Sequence, residues 1–421
     1  MTQEPHTIRF SNIGETLEVP VINQLMAIPL EKPGILSLAA GFTDNLALPV
    51  ELTLDIISKL PETNPNNEFL QYGTTQGRPE LRKRTADRLN SLVMEDDRAF
   101  AAEDIVVCNG SQQALFLATQ TLCNPGDIVL VENPSYFVYL SMLQSLQVNP
   151  VGIPVDESGK MDFDAFAILL DQLKNESKLN KVKATYLMGY HANPSSRCLS
   201  LEEKQGFAST LKKAGLIVPV IEDAAYRDLA FESMDPTPSI MSLRDYEAFP
   251  RLYLGTYTKP YATGLKIGYG CCSHKKWLEK ILCAKGNQDF GTSNFSQAII
   301  ERALIDNRYE ALTRELGSHY GKKAELLHEV LENAGIQNKG WHWDKPTGGL
   351  LFWMKAPESV NTDMGKAFCL ECEKQGVIYV PGSFCFANQE PHNFIRLSIG
   401  ALPDEKLVEA SKRFCKVIHS L

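Results

Sequence analysis

The sequence of 421 residues lacks the features of several protein classes. No stretch reaches the roughly 18 consecutive apolar residues that a membrane-spanning helix needs. There is no block rich in lysine and arginine, and the formal net charge of -9 disfavours nucleic acid as a partner. The first residues do not show the charged-then-apolar pattern of a secretory signal. These absences predict a cytoplasmic protein that binds neither membrane nor nucleic acid.

Cysteine occurs at ten positions, but not in a pattern that indicates disulfides. In a chain without a secretory signal, scattered cysteines are typical of reduced thiols in the cytosol. Cys369 and Cys372 form a C-x-x-C motif in a stretch that looks helical, with no second pair or histidine at zinc-site spacing. We interpret them as packing residues in preference to a redox pair, and predict no metal site.

Between about residues 100 and 260, short apolar runs alternate with helical stretches. This alternation predicts crossover units, a mostly parallel sheet buried on both faces, and hence the α/β class. From about residue 310 the pattern changes to a long amphipathic helix and shorter strands, which is typical of an α+β domain. The predicted strands include "DIVVCNG", "GDIVLVENP", "VKATYLMGY", "GLIVPVIEDAAY" and "RLYLGTYTK". We predict an N-terminal arm with part of the small domain (1–50), a large domain (51–310) and a small C-terminal domain (311–421).

Polar residues follow several of these strands, where ligands bind in open parallel sheets. Ser111 in "NGSQQAL" begins a helix, whose free N–H groups attract anions such as phosphate, although it could simply cap the helix. Asp223 in "IEDAAY" could hold a protonated pyridinium nitrogen, or cap the next helix. Tyr226 follows three positions later, and Asn193 precedes a proline in a predicted turn.

Two positively charged residues are also candidates for binding or catalysis. Lys259 in "TYTKPYATG" lies in the setting of a lysine that forms a Schiff base beside a bound phosphate, although most lysines are simply solvated. Arg396 lies within the apolar run "NFIRLSIG", where a guanidinium is costly unless it is paired. Its partner could be a substrate carboxylate or an internal Asp or Glu.

These pieces occur together in an order that resembles a known family. The motifs are "QYGTTQGRPELR", "NGSQQAL", "NPGDIVLVENPSYF", the Asn-Pro at 193, "EDAAY", "TYTK", "PTGGLLFW" and "IRLS". The chain resembles the class I/II aminotransferases, which are fold-type I pyridoxal-phosphate enzymes, from about "SLAAGF" to "IRLSIG". The most similar branch includes α-aminoadipate, kynurenine and aromatic aminotransferases.

The resemblance implies a fold, a cofactor and a reaction. The fold is a large domain with a mostly parallel seven-stranded sheet between helices, plus a small α+β domain. The cofactor is pyridoxal 5'-phosphate. The reaction is a ping-pong transfer of the amino group of an L-amino acid (aromatic, aminoadipate-like or aliphatic) to a 2-oxo acid such as 2-oxoglutarate or pyruvate. The family also implies a homodimer with shared active sites.

The resemblance also assigns roles to residues of this sequence. It implies that Lys259, Asp223 and Tyr226 are catalytic. Substrate binding falls to Gly41, Asn193 and Arg396. Tyr72 is implied to reach the cofactor phosphate of the neighbouring subunit. The implied cofactor-binding residues are Ser111, Gln112, Tyr136, Asn193, Asp223, Tyr226, Thr256, Thr258, Lys259, Lys266 and Tyr72.

The sequence departs from the family pattern at one charged position. Lys266 stands where the family usually has an arginine on the cofactor phosphate. A lysine supplies a positive charge without the planar fork of arginine, so we expect weaker or differently oriented phosphate binding.

Two alternatives to transamination remain open on the same fold. A β-lyase or another reaction at the α-carbon begins from the same bound substrate, and the sequence does not show which bond breaks. A non-catalytic regulator with an aminotransferase-like sensing domain is less favoured, because no basic recognition helix is found in the roughly 35 residues before "LSLAAG".

Overall fold

The computed structural model describes residues 8–93 and 99–420. Its centre is a seven-stranded sheet with the strand order β2-β8-β7-β6-β5-β3-β4. Strands and helices are numbered along the chain. The strands of this sheet are β2 (Ile105–Asn109), β3 (Ile128–Val131), β4 (Asn149–Gly152), β5 (Val182–Met188), β6 (Val220–Asp223), β7 (Arg251–Thr256) and β8 (Ile267–Cys272).

The sheet is mostly parallel, as predicted. The neighbouring strands β4, β3, β5, β6 and β7 all run parallel to one another. In this sheet β8 alone runs in the opposite direction, between β2 and β7. Every residue of β3, β6 and β8 is buried. The near-continuous apolar runs of the sequence therefore reflect a sheet covered on both faces.

Helices connect and cover these strands. The predicted helix after "DIVVCNG" is α5, which begins directly at the end of β2. The helix α8 begins with a capping box in which Ser200 and Glu203 bond each other's backbone N–H groups. The helices of this part are α3 (Val50–Thr63), α4 (Pro79–Ser91), α5 (Gly110–Leu122), α6 (Phe137–Ser145), α7 (Phe163–Asn175), α8 (Leu201–Lys213), α9 (Lys275–Asp289) and α10 (Asn294–Ile305).

The C-terminal part has the predicted α+β character. The long helix α11 is followed by Gly335 in the left-handed conformation (φ +63°), which suits a helix end. An antiparallel sheet has the order β12-β13-β10-β9. The elements are α11 (Arg308–Asn333), α12 (Ala367–Lys374), α13 (Asp404–Ser420), β9 (His342–Trp343), β10 (Leu351–Lys355), β12 (Val380–Pro381) and β13 (Phe394–Ser398).

The N-terminal segment contributes α1 (Asn12–Glu15), α2 (Val21–Glu31) and β1 (Leu36–Ser37). The strand β1 pairs in parallel with β11 (Val377–Ile378), which is consistent with the predicted association of residues 1–50 with the small domain. The predicted boundary at 310/311 falls inside the continuous helix α11, so the domain division stays a prediction. Within the described ranges, no helix combines the length and apolar character needed to cross a bilayer.

Candidate functional site

A cavity of about 220 Å³ opens at the carboxyl ends of β5, β6 and β7, beside the first turn of α5. Ligands of open α/β sheets bind at this edge. All the residues singled out from the sequence, with the exception of Tyr72, line this cavity. They are Gly41, Ser111, Gln112, Tyr136, Asn193, Asp223, Tyr226, Thr256, Thr258, Lys259, Lys266 and Arg396.

Tyr72 does not line the cavity of its own chain. Its side chain is 82% exposed, and its ring meets that of Phe290 edge-on with the centroids 5.5 Å apart. This exposed position is compatible with a contact between Tyr72 and the cofactor phosphate of a neighbouring subunit. That contact stays a prediction.

Lys259 follows β7 and is partly buried among cations. Its Nζ donates a hydrogen bond to the carbonyl oxygen of Gly41, at 2.5 Å. Burial, together with the smaller effect of the positive charges of Arg396 and Lys266, lowers the pKa of the Lys259 ammonium from 10.5 to about 8. A substantial fraction of this amine is therefore neutral, and hence nucleophilic, at a mildly alkaline pH.

Asp223 ends β6 as a buried carboxylate. Its Oδ2 accepts a hydrogen bond from the hydroxyl of Tyr186, at 2.8 Å, and its Oδ1 accepts one from the backbone N–H of Ala225, at 2.9 Å. Burial raises the pKa of Asp223 above its ordinary value, and these two hydrogen bonds counteract the rise. No local sequence signal pointed to Tyr186, which reaches Asp223 because β5 and β6 are parallel neighbours.

Arg396 is buried in β13, with an exposed fraction of only 2%. One terminal nitrogen donates to Asn193 Oδ1 at 3.1 Å, and the other donates to the carbonyl oxygen of Ala39 at 2.7 Å. Within residues 8–93 and 99–420, its Nε has no hydrogen-bond partner. Among the described residues no carboxylate pairs with Arg396, so the internal ion pair considered from the sequence is not found there. A buried cation in this state is suited to an anionic ligand.

No side chain in the described ranges caps the first turn of α5. In the part of the chain that the structure describes, the backbone N–H groups of Ser111 and Gln112 have no acceptor, and both residues line the cavity. The strand β8 lies directly against this turn, because a Cβ atom on Gly268 would come within 2.3 Å of the Ser111 nitrogen. These free N–H groups, at the positive end of a helix, form a cradle for an anion.

The remaining polar residues surround this turn. The hydroxyls of Thr256 and Thr258 both donate to the carbonyl oxygen of Ile267, at 3.1 Å and 3.3 Å. Lys266 is exposed and has a left-handed backbone (φ +56°), which is uncommon for a residue other than glycine. The cavity therefore joins a buried amine, a buried carboxylate, a buried guanidinium and an anion cradle.

Comparisons with known proteins show which family the chain belongs to. The family described as "Aminotransferase class I and II" matches residues 33–414. The chain belongs to this family. An aminotransferase of this kind transfers amino groups, and its architecture is fold type I.

Several relatives of this aminotransferase are similar over nearly their full length. Aromatic-amino-acid aminotransferase 1 of Thermococcus litoralis is 29% identical over 97% of this chain and 94% of its own. The 2-aminoadipate transaminase of Thermus thermophilus is 26% identical over 96% of this chain and 95% of its own. The solved structure of Pyrococcus horikoshii kynurenine aminotransferase has 28% identity and a TM-score of 0.86, covering 98% of this chain and 97% of that one.

Sequence reasoning missed several residues of the aminotransferase cavity. Ile22 of α2, Phe42 and Val138 of α6 line it with apolar side chains, and Tyr186 supports Asp223. Ile22 and Phe42 come from the N-terminal 50 residues. Local periodicity does not show that this N-terminal segment packs against a cavity formed by residues far away in sequence. Only the folded chain shows that contact.

Proposed function

We propose that the chain is a pyridoxal-phosphate-dependent aminotransferase with a ping-pong mechanism. It moves the amino group of an L-amino acid, whether aromatic, aminoadipate-like or aliphatic, to a 2-oxo acid such as 2-oxoglutarate or pyruvate. The observation that carries this proposal is the convergence of Lys259, Asp223 and Arg396 on one cavity that also contains the uncapped first turn of α5.

The donor set fits pyridoxal phosphate. The unpaired N–H groups of Ser111 and Gln112 match its phosphate, with the charge of Lys266 nearby. The buried Asp223 carboxylate matches its pyridine nitrogen, and the amine of Lys259 matches its aldehyde. Thr256 and Thr258 supply hydroxyls, Tyr136 an aromatic face, and Asn193 and Tyr226 hydrogen-bonding groups; all of them line the same cavity.

When bound, the cofactor supplies an electron sink for the substrate α-carbon. Asp223 would keep a proton on the ring nitrogen through its negative charge. Arg396 binds the α-carboxylate and thereby orients the substrate, with the backbone of Gly41 forming part of that pocket. Lys259 would take the proton from the substrate α-carbon and deliver it to C4′ of the cofactor, and it would carry a proton in the reverse direction when the 2-oxo acid collects the amino group.

The composition of the cavity walls indicates which substrate side chains the site accepts. Ile22, Phe42 and Val138 are apolar, and the charged side chains among the described lining residues are Asp223, Lys259, Lys266 and Arg396. Each of these four already has a role with the cofactor or the α-carboxylate. This composition favours aromatic and aliphatic donors over those with a second carboxylate.

An absorption experiment tests the proposed reaction. The purified protein is loaded with pyridoxal phosphate and mixed with single L-amino acids in the absence of a 2-oxo acid. An aminotransferase converts the cofactor to its amine form with each accepted amino acid, and an added 2-oxo acid restores the original spectrum. An unchanged spectrum with release of ammonia and a 2-oxo acid would support the β-lyase alternative instead.

A lowered pKa at Lys259 predicts the pH dependence of cofactor capture. Only the neutral amine reacts with the aldehyde, so the rate of pyridoxal phosphate binding to apoenzyme should rise with pH and level off above a midpoint near pH 8. Stopped-flow absorbance measures this rate. In Arg396→Leu the midpoint should move upward, because one of the charges that lower the pKa is gone. A wild-type midpoint near the ordinary value of 10.5 would contradict the prediction.

Substitution of Gly268 tests the anion cradle. In Gly268→Ala the new methyl group would lie 2.3 Å from the Ser111 nitrogen, so we expect cofactor affinity to fall by about 100-fold. Gly270→Ala is a matched control in the same strand, because its methyl group would meet only side chains, at 3.2 Å or more. Equilibrium titration of apoenzyme measures both, and similar affinities for the two variants would refute the cradle.

Substitution of Arg396 tests substrate recognition. Arg396→Leu should lower kcat/KM for every amino acid by about 100-fold or more, mainly through KM, because the α-carboxylate loses a buried charged partner. Arg396→Lys should recover only part of the loss, since a point charge replaces the planar fork. Steady-state kinetics give both values, and an unchanged KM in the leucine variant would remove Arg396 from the substrate site.

We also propose that the protein is a homodimer with shared sites. Exposed apolar side chains are frequent between residues 42 and 72, among them Leu46, Leu54, Leu70 and Tyr72. Such a concentration favours a protein partner over solvent. Analytical ultracentrifugation tests the dimer. Mixing inactive Lys259→Ala with a weakly active Tyr72 variant tests sharing, because a mixed dimer regains one site with both native residues.

A further inference from the structure

A fully buried lysine lies behind the anion cradle, outside the cavity lining. Lys285 of α9 has an exposed side-chain fraction of 0%. Its Nζ contacts Asp289 Oδ1 at 2.9 Å and Oδ2 at 2.8 Å, Thr292 Oγ1 at 3.0 Å and Gln113 Oε1 at 3.3 Å. A buried ammonium is tolerated only with such partners, so this one holds several segments together.

Gln113 links this lysine to the first turn of α5. Its Oε1 also accepts the backbone N–H of Asn109 at 2.8 Å, and its Nε2 donates to Asp289 Oδ2 at 2.7 Å and to Gln288 Oε1 at 2.8 Å. All the usual hydrogen-bonding capacity of this amide is therefore used. Gln113 directly follows Gln112, one of the residues that offer free N–H groups to the cavity.

The network also reaches the end of β2. Asn109 Nδ2 donates to Asp289 Oδ2 at 2.8 Å, and Thr292 Oγ1 donates to the carbonyl oxygen of Val107 at 3.2 Å. Asn109 and Gly110, which join β2 to α5, line the cavity. The junction that presents the cradle is thus fixed from its outer side by side chains from α9 and the segment after it.

The charge of Lys285 is largely neutralised by Asp289, so its influence on a bound anion is through geometry and not through a long-range field. Geometry is important here because Lys266, in the place of the usual arginine, offers no fork to orient a phosphate. The direction of the backbone N–H groups must then supply more of the orientation.

On the basis of the proposed function, we propose that Lys285 is a positioning residue that holds the first turn of α5, through Gln113, in the orientation that binds the cofactor phosphate. It touches neither substrate nor cofactor. Its effect should therefore be confined to ligands that carry a phosphate.

The test compares pyridoxal phosphate with pyridoxal, which lacks the phosphate. Dissociation constants of apoenzyme for both are measured by absorbance titration for the wild type, Lys285→Met and the control Lys280→Met, an exposed lysine on the same helix. We expect Lys285→Met to weaken pyridoxal phosphate binding about tenfold, as for loss of one charged hydrogen bond, with pyridoxal binding unchanged. Lys285→Arg should restore part of the difference, and Lys280→Met should match the wild type.

If Lys285→Met keeps the wild-type ratio of the two dissociation constants, or weakens both ligands equally, Lys285 is only structural and the inference is overturned. Where Lys285→Met does not fold, Gln113→Met provides the same comparison, because it breaks the link while Lys285 keeps Asp289 and Thr292 as partners. A wild-type protein that binds both ligands equally well would instead overturn the proposed phosphate site, and the inference with it.

Discussion

Replacement of Lys259 by alanine should reduce kcat for amino transfer by about 10⁴-fold. The substitution removes the group to which we assign two roles, as the amine that would attach the cofactor and as the base that would move the proton at the α-carbon. In the folded chain the Lys259 amine donates to the carbonyl oxygen of Gly41, and the charge of Arg396 helps to lower its pKa. We therefore expect no other lysine among the described lining residues to take over its role. Lys266, which also lines the cavity, is exposed.

The measurement is single-turnover kinetics of the loaded variant with the best amino acid of the panel. Cofactor binding is measured separately, because Ser111, Gln112 and Asp223 remain in Lys259→Ala and should hold the cofactor without a covalent bond. Lys280→Ala, an exposed lysine on α9, is the matched control and should keep wild-type activity. Activity within tenfold of the wild type in Lys259→Ala would exclude Lys259 as the proton carrier.

Asparagine in place of Asp223 should lower kcat by about 10³-fold, while the protein stays folded. Asparagine has nearly the same shape, and its single carbonyl oxygen can keep one of the two hydrogen bonds that Asp223 accepts, from Tyr186 or from Ala225. It carries no charge to keep a proton on the pyridine nitrogen. The loss should therefore appear in kcat more than in the KM of the amino acid, which depends on Arg396.

Steady-state kinetics and thermal unfolding of Asp223→Asn are measured together. Tyr186→Phe is the control for indirect effects, since it leaves the carboxylate and removes one hydrogen bond; we expect a loss of about tenfold at most. A similar kcat for Asp223→Asn and Tyr186→Phe would mean that the charge of Asp223 is not required.

Local sequence signals were sufficient for the strands that carry the site. "GLIVPVIEDAAY" predicts a buried strand with an acidic residue at its end, and β6 indeed ends at Asp223. "DIVVCNG" predicts a strand followed by a helix, which are β2 and α5. Because parallel strands end at one edge, their order along the chain already predicts that these residues share a site.

Other features depended on segments far apart in sequence. The sequence left open whether Arg396 pairs with an internal carboxylate, because either partner satisfies a buried guanidinium. The structure surrounds it with the amide of Asn193 and the carbonyl oxygen of Ala39 instead. Likewise, the domain boundary at 310/311 stays a prediction from the change of pattern, and α11 is continuous through this point.

By itself, the sequence determined the fold class, the order of strands and helices along the chain, and the residue types available for chemistry, because hydrophobic periodicity and turn residues act over a few positions. Which side chains became neighbours depended on the packing of distant segments, as for Tyr186 with Asp223, Lys285 with Gln113, and Ile22 with the cavity. The physical reason is that a hydrogen bond across the fold requires two segments to be packed at a fixed distance and angle, and that geometry exists only when the sheet and its helices have assembled.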